Sequence, residues 1–253
     1  MRKSLFIIAA LLLSLNVSAQ IKEEGEIRDG LKEGTWYEID VNKNLIRKVV
    51  QYENGKKNGL YMEIDETGAL VKKCEYADNQ LNGSSYTWFR GGRLSSKNSY
   101  KNGVLDGEQI ACYEQGATRE IANYKDGQRE GQTIWFDQSG NMVMTIEYKA
   151  GKFDGKQETY YKGNRLKSSK MYKDNVQDGP AIEYYESGAI MSESNYKNGK
   201  LSGKVKKYED KKPEEIKKEM EMKADIKEVD FKEVKNMEIK VVDKAEKKEV
   251  KKQ

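Results

Sequence analysis

Histidine occurs nowhere in the chain, and that absence decides most of its possible chemistry. Without an imidazole there is no Ser-His-Asp or Cys-His nucleophile, no HExxH zinc site and no His-ligated haem, because each depends on the ring for proton transfer or metal donation. A carboxylate pair or a Ser-Lys dyad survives only as a formal possibility, so no enzyme, catalytic residue, metal or cofactor is expected. Residues suited to recognition are adjacent aromatics: Trp88 and Phe89, Trp135 and Phe136, Tyr160 and Tyr161, Tyr184 and Tyr185. On a strand, neighbours point to opposite faces, so one of each pair is expected to be exposed and the row to form a binding strip. A second candidate is the lysine row Lys101, Lys125, Lys149, Lys173 and Lys197, suited to anionic lipid or cell-wall polymer. Asp106, Glu130, Asp154 and Asp178 recur beside it and predict local neutralisation; they are too sparse per turn for calcium sites.

The elements that must position these side chains show in the spacing. Tyr52, Tyr76, Tyr100, Tyr124, Tyr148, Tyr172 and Tyr196 follow one another at 24 residues, and Gly59, Gly83, Gly107, Gly131, Gly155, Gly179 and Gly203 keep the same period. Three residues after each tyrosine stands Gly55, Asn79, Gly103, Gly127, Gly151, Asn175 or Gly199. Asparagine is the residue that best replaces glycine at positive φ, so Asn54-Gly55, Asn102-Gly103 and Asp126-Gly127 predict two-residue type I′ hairpin turns. A second turn falls half a period later, at Gly68, Gly92, Gly116, Gly140, Asn164 and Gly188. Two turns per period mean two strands per period. In the first strand Met62 and Ile64, Tyr86 and Trp88, Ile110 and Cys112, Ile134 and Phe136, Ile182 and Tyr184 alternate and are expected to face the core. The second strand opens with Leu70, Leu94, Met142, Leu166 or Ile190 and closes on the next tyrosine, whose ladder is read first as core. Leu81, Leu105 and Phe153 are expected between successive tyrosines.

Seven units in register resemble the MORN repeat and its bacterial variant, over Ile27 to Tyr208, with Ile27, Gly30 and Gly34 opening an irregular first unit. The chain lacks the Gly-x-Gly of the eukaryotic pattern. The resemblance implies an all-β, elongated single-layer array of antiparallel hairpins. It also implies roles in protein contacts, membrane association and scaffolding, with an antitoxin role for some bacterial members. A hairpin this poor in apolar surface gains order only by stacking on its neighbours.

Composition agrees with a thin core. The 253 residues are 36% hydrophobic and 35% charged, with 46 Lys+Arg against 42 Asp+Glu, a balance that argues against a nucleic-acid partner. Residues 1–19 read as a signal peptide, with Arg2 and Lys3 before the apolar Leu5 to Leu15 and small residues at Val17-Ser18-Ala19. Export to the periplasm, the outer surface or the medium follows as an expectation. Residues 20–26 are a lead-in, 27–208 the repeat domain of about eight units, and 209–253 a charged tail. That tail reads as disordered with a short helix around Glu214 to Lys223. Its alternating Met220, Met222, Ala224 and Ile226, and Met237, Ile239 and Val241, leave edge pairing as the other reading. Cys74 and Cys112 should lie three strand spacings apart, roughly 14 Å, too far for a disulfide. The expected function is an exported scaffold for another protein, immunity-like or antitoxin-like; the alternative is a binder of envelope glycan or anionic lipid.

Overall fold

The structure is a computed structural model that describes residues 20–210, with Glu215 and Lys218 beyond them. The segment expected as a signal peptide, and the expected tail from residue 211 apart from those two positions, lie outside the described residues. The chain divides at Gly140 and Asn141 into two compact units. The first holds strands β1 (Ile21–Arg28), β2 (Leu31–Asp40), β3 (Leu45–Glu53), β4 (Lys56–Ile64), β5 (Leu70–Ala77), β6 (Gln80–Trp88), β7 (Leu94–Lys101), β8 (Val104–Cys112), β9 (Thr118–Lys125), β10 (Gln128–Arg129) and β11 (Gly131–Phe136). The second holds β12 (Met142–Lys149), β13 (Lys152–Tyr161), β14 (Arg165–Lys173), β15 (Val176–Tyr184), β16 (Ile190–Lys197), β17 (Lys200–Leu201) and β18 (Lys206–Lys207). Each unit is an open antiparallel meander in which a strand pairs with the next in the chain; β10 and β11 share β9, and β17 and β18 share β16. Strand β1 begins at Ile21, so the stretch expected as a lead-in is already the second strand of a partial unit.

The turns have the predicted geometry. Asn54 and Gly55 lie at φ +50° and +77°, and Asp78 with Asn79, Asp126 with Gly127 and Asp174 with Asn175 repeat the pair of positive values that defines type I′. Neighbouring turns are knitted together: Gly103 donates its N–H to the Leu81 carbonyl at 2.8 Å and Gly199 to that of Gln177 at 2.9 Å. Where asparagine stands for glycine its side chain adds a bond, the Asn79 Oδ1 accepting from Lys57 N at 2.7 Å and the Asn175 Oδ1 from Phe153 N at 2.8 Å. At the second turn Gly68 N donates to Asp65 O, while Asp65 N donates to Ala69 O, closing a three-residue loop with glycine at positive φ.

The face assignment differs from the expected one. Val50 stands opposite Tyr61, Tyr61 opposite Cys74, and Cys74 opposite Ser85, so the tyrosine face carries residues 61, 85, 133 and 181 of the first strands. There Tyr61, Ser85, Thr133 and Ala181 are buried, whereas of the ten residues expected in the core only Cys112 is buried and the other nine are half-buried. Among the described residues, no second layer covers either face. Apart from Val50, Tyr61 and Ile146, burial on this face therefore goes to small side chains overhung by the ladder. The ladder itself packs as expected: Phe153 stands edge-on between Tyr148 and Tyr172 at 5.1 and 5.9 Å between ring centroids, and Leu81 packs against the Val50–Tyr61–Cys74 cluster with Tyr52 and Tyr76.

Candidate functional site

The eight aromatic residues singled out from the sequence are all half-buried, so the expectation that one of each pair is exposed does not hold. The cause is local: the second member of a pair turns along the array and is used there. Tyr161 donates its hydroxyl to the Tyr184 carbonyl and Tyr185 to that of Tyr208, both at 2.9 Å. Tyr113, which sequence reasoning passed over, does the same to Phe136 O at 2.8 Å. Its signal was its period: 113 lies 48 residues before Tyr161 and 72 before Tyr185. At the same place in other periods Asp65 and Asp137 instead accept from the backbone of their own turns, Asp65 Oδ1 from Thr67 N and Asp137 Oδ1 from Ser139 N, each at 2.8 Å. Hydrogen bonds from Thr67 and Ala69 hold the Asp65 carboxyl below its ordinary range. Phe89 holds its turn through its backbone, its N–H donating to Arg93 O.

Trp88, Tyr160 and Tyr184, the first members of three of the pairs, face the side opposite the tyrosine ladder, and there each meets an apolar partner directly across the hairpin. In the first unit Ile64 stands opposite Leu70 and Trp88 opposite Leu94, with Tyr86 stacked on Trp88 at 6.1 Å and 22°. In the second, Tyr160 stands opposite Leu166 and Tyr184 opposite Ile190. The openers of the second strand thus complete the aromatic row. The Tyr160 phenol is pushed up, first by burial and then by the Glu158 carboxylate that accepts its proton at 2.9 Å.

Trp135 and Phe136 sit one residue out of phase with the other pairs. Phe136 takes the place of Trp88 in the period, while Trp135 stands opposite Glu120 on the ladder face. The Arg129 guanidinium lies 5.3 Å from the Tyr124 ring centroid and 5.7 Å from that of Trp135, pairs with Glu120 at 2.5 Å and donates to Thr133 Oγ1 at 3.1 Å. Arg129 fills the place Leu81 and Leu105 hold in earlier periods, so this cation is built into the core.

Lysines 101, 125, 149, 173 and 197 are exposed. Among the described residues only Lys197 of the five makes an ion pair, to Asp178 at 3.1 Å. Acidic residues of the same turns serve the backbone instead, with Asp106 accepting from Asp126 N at 3.3 Å and Asp178 from Asn198 N at 3.2 Å, so that one turn is joined to the next. The Asn198 backbone bond and then Lys197 keep the Asp178 carboxyl low. Cys74 and Cys112 are free and buried, and three strand steps separate β5 from β8. No group of three or more Cys, Asp or Glu among the described residues is placed to hold a metal ion.

No curated protein matches the chain. Residues 129–150 and 177–198 match the family described as MORN repeat variant. Each match starts five residues after a ladder tyrosine and ends two residues after the next, so it spans 22 of the 24 residues of a period. Seven tyrosines in one register make the chain a repeat protein, and the two matched stretches are consistent with a MORN repeat protein.

Proposed function

We propose that the chain is an exported, non-catalytic scaffold that holds another protein against the apolar couples of the face opposite the tyrosine ladder. The observation that supports this reading is the pairing of Trp88 with Leu94 and of Tyr184 with Ile190, in which Ile190 is exposed and the other three are half-buried, all free of the hydroxyl bridges that occupy Tyr161 and Tyr185. Aromatic side chains with one face already ordered lose little conformational entropy on binding and are the usual anchors of protein contacts. An immunity-like or antitoxin-like role is the form the family resemblance suggests. The test is capture of a partner from envelope extract by the chain and by its Trp88→Ala and Tyr184→Ala variants, each first checked for an unchanged far-ultraviolet dichroism spectrum. Loss of the partner in both supports the strip as the docking surface; undiminished capture by both variants rules it out.

A second reading, binding of anionic lipid or acidic envelope glycan, is favoured by Lys149 and Lys173, exposed and without an ion pair among the described residues. It predicts binding to anionic vesicles that falls with added salt, and no binding to neutral ones.

A further inference from the structure

The two ends of the array are unlike any strand between them. Every residue of β1 is exposed, and so is every residue from Leu201 to Asp210. The outer edge of residues 203–208 has no pairing strand among the described residues, and the period shows what is missing. In the preceding unit Gly179 pairs with Tyr196, Pro180 with Asn195, Ile182 with Glu193 and Glu183 with Ser192. Of the residues that the period places on the next strand, the two described, Glu215 and Lys218, are helical.

Strand β1 has the shape that edge lacks. It is a second strand of the repeat type, with the same register shift against β2 that β3 shows against β4. Ile27 occupies the tyrosine place, and Trp36 lies over Gly25 where a side chain would collide with its ring. Carrying the β15–β16 register onto these two edges sets Gly203 opposite Ile27, Lys204 opposite Glu26, Lys206 opposite Glu24 and Lys207 opposite Glu23. All three charged couples are of opposite sign. Lys204, Lys206 and Lys207 make no ion pair among the described residues. Glu24 and Glu26 hold only exposed partners two residues away, Lys22 at 2.5 Å and Arg28 at 2.9 Å, and Glu23 pairs with Lys32 at 2.6 Å; such pairs are weak and exchange readily. Apolar residues at both edges are left in water, with Ile27 56% and Ile21 47% exposed at one, Leu201 47% and Val205 41% at the other.

We propose that residues 203–208 of one copy take β1 of a second copy as their next strand, so that the chain assembles head to tail by continuing its own repeat. The interface uses a different surface on each partner, so association adds copies in series unless the series closes into a ring. Backbone pairing supplies the attraction, and the lysine–glutamate couples set the register and exclude pairing of like edges.

The proposal is independent of the aromatic strip, and its test leaves that strip untouched. Sedimentation velocity on the chain as the cell produces it should show a mass that rises with protein concentration and falls with added salt. Two variants, Lys204→Glu/Lys206→Glu/Lys207→Glu and Glu23→Lys/Glu24→Lys/Glu26→Lys, alter only exposed residues. Each alone should remain at monomer mass, and an equimolar mixture should associate again, because reversed edges then meet reversed edges. A wild-type chain that is monomeric throughout, a dimer that never grows, or two variants that associate separately would each overturn the proposal.

Discussion

Gly107 and Gly131 occupy the same place in the period, seven residues after a ladder tyrosine, yet alanine should be far worse at the first. Gly107 lies at φ +107°, and a Cβ there would stand 3.1 Å from the Ser99 Cβ. Ser99 is held by pairing with Ser84 across β6 and β7, so its Cβ moves only with the strand. Backbone strain of about 1–3 kcal/mol and overpacking of about 1–3 kcal/mol, less about 0.4–1 kcal/mol for the less flexible unfolded chain, leave a loss of about 2–4 kcal/mol for Gly107→Ala. Gly131 lies at φ +75° with nothing within 4 Å of the position a Cβ would take, because the strand is interrupted between Arg129 and Gly131. There the left-handed cost of about 1–2 kcal/mol is partly offset by the less flexible unfolded chain, about 0.4–1 kcal/mol, leaving a net loss of about 1 kcal/mol. The difference, about 2 kcal/mol, corresponds to about 1 M in urea midpoint at an m-value of about 2 kcal/mol/M. Trp36, Trp88 and Trp135 all belong to the first unit with both glycines, so tryptophan fluorescence during urea unfolding reports on the right residues. Equal midpoints for the two variants, or a lower one for Gly131→Ala, would refute the argument that crowding by the facing strand, and not glycine's flexibility alone, fixes this position.

Three further outcomes are expected. Ala150 sits at φ +47° where the corresponding turns carry Asn or Asp, so Ala150→Asn should raise the stability of the second unit by about 0.5–1 kcal/mol in thermal unfolding; no gain would mean that the turn is not strained. Tyr161→Phe and Tyr185→Phe each remove one hydroxyl bridge between hairpins and should cost about 1 kcal/mol apiece, a loss that the exposed Tyr37 should not reproduce when changed to Phe. Burial raises the Tyr61 phenol, with Glu63 adding to it, and raises the Cys74 thiol. A raised folded value means stabilisation that is complete below the ordinary values of 9.0 for the thiol and 10.0 for the phenol, and lost as pH rises through the folded ones. The urea midpoint should therefore fall above about pH 9, and the double variant Cys74→Ala/Tyr61→Phe should flatten that decline; an unchanged slope would contradict the assigned cause.

The turns were the most legible feature in the sequence, because positive φ admits so few residue types that Asn54-Gly55 or Asp126-Gly127 names its conformation directly. The spacing of tyrosines carried the pairing order for the same reason: a fixed period leaves one register. Which face is buried was not legible. The rule that apolar side chains mark the core presumes a second layer, and among the described residues Met62, Tyr86 and Ile182 have none to pack against. Ser85, Thr133 and Ala181 are buried by what leans over them, as Arg129 leans over Thr133. The aromatic pairs misled for a related reason. Tyr161 and Tyr185 lie at a strand end, where the chain leaves the pleat and the side chain follows the array instead of alternating across the sheet. Asp106 and Asp178 read as neutralisers of lysine, which Asp178 is for Lys197, but both carboxylates also accept from the next turn's backbone, a contact about 20 residues distant along the chain and invisible without the register.

Continuity of the array follows from where these polar contacts fall. Within a unit, one hairpin is tied to the next by strand pairing, by turn-to-turn bonds such as Gly103 N to Leu81 O, and by tyrosine hydroxyls reaching a carbonyl one period on. All three are periodic and mostly polar, so a unit can be added without enlarging a core, which is why a chain this rich in charge still folds into ordered sheets. The apolar couples at Trp88–Leu94 and Tyr184–Ile190 are not needed for that continuity. If they are the docking surface proposed above, substituting them should change binding far more than it changes the unfolding midpoint.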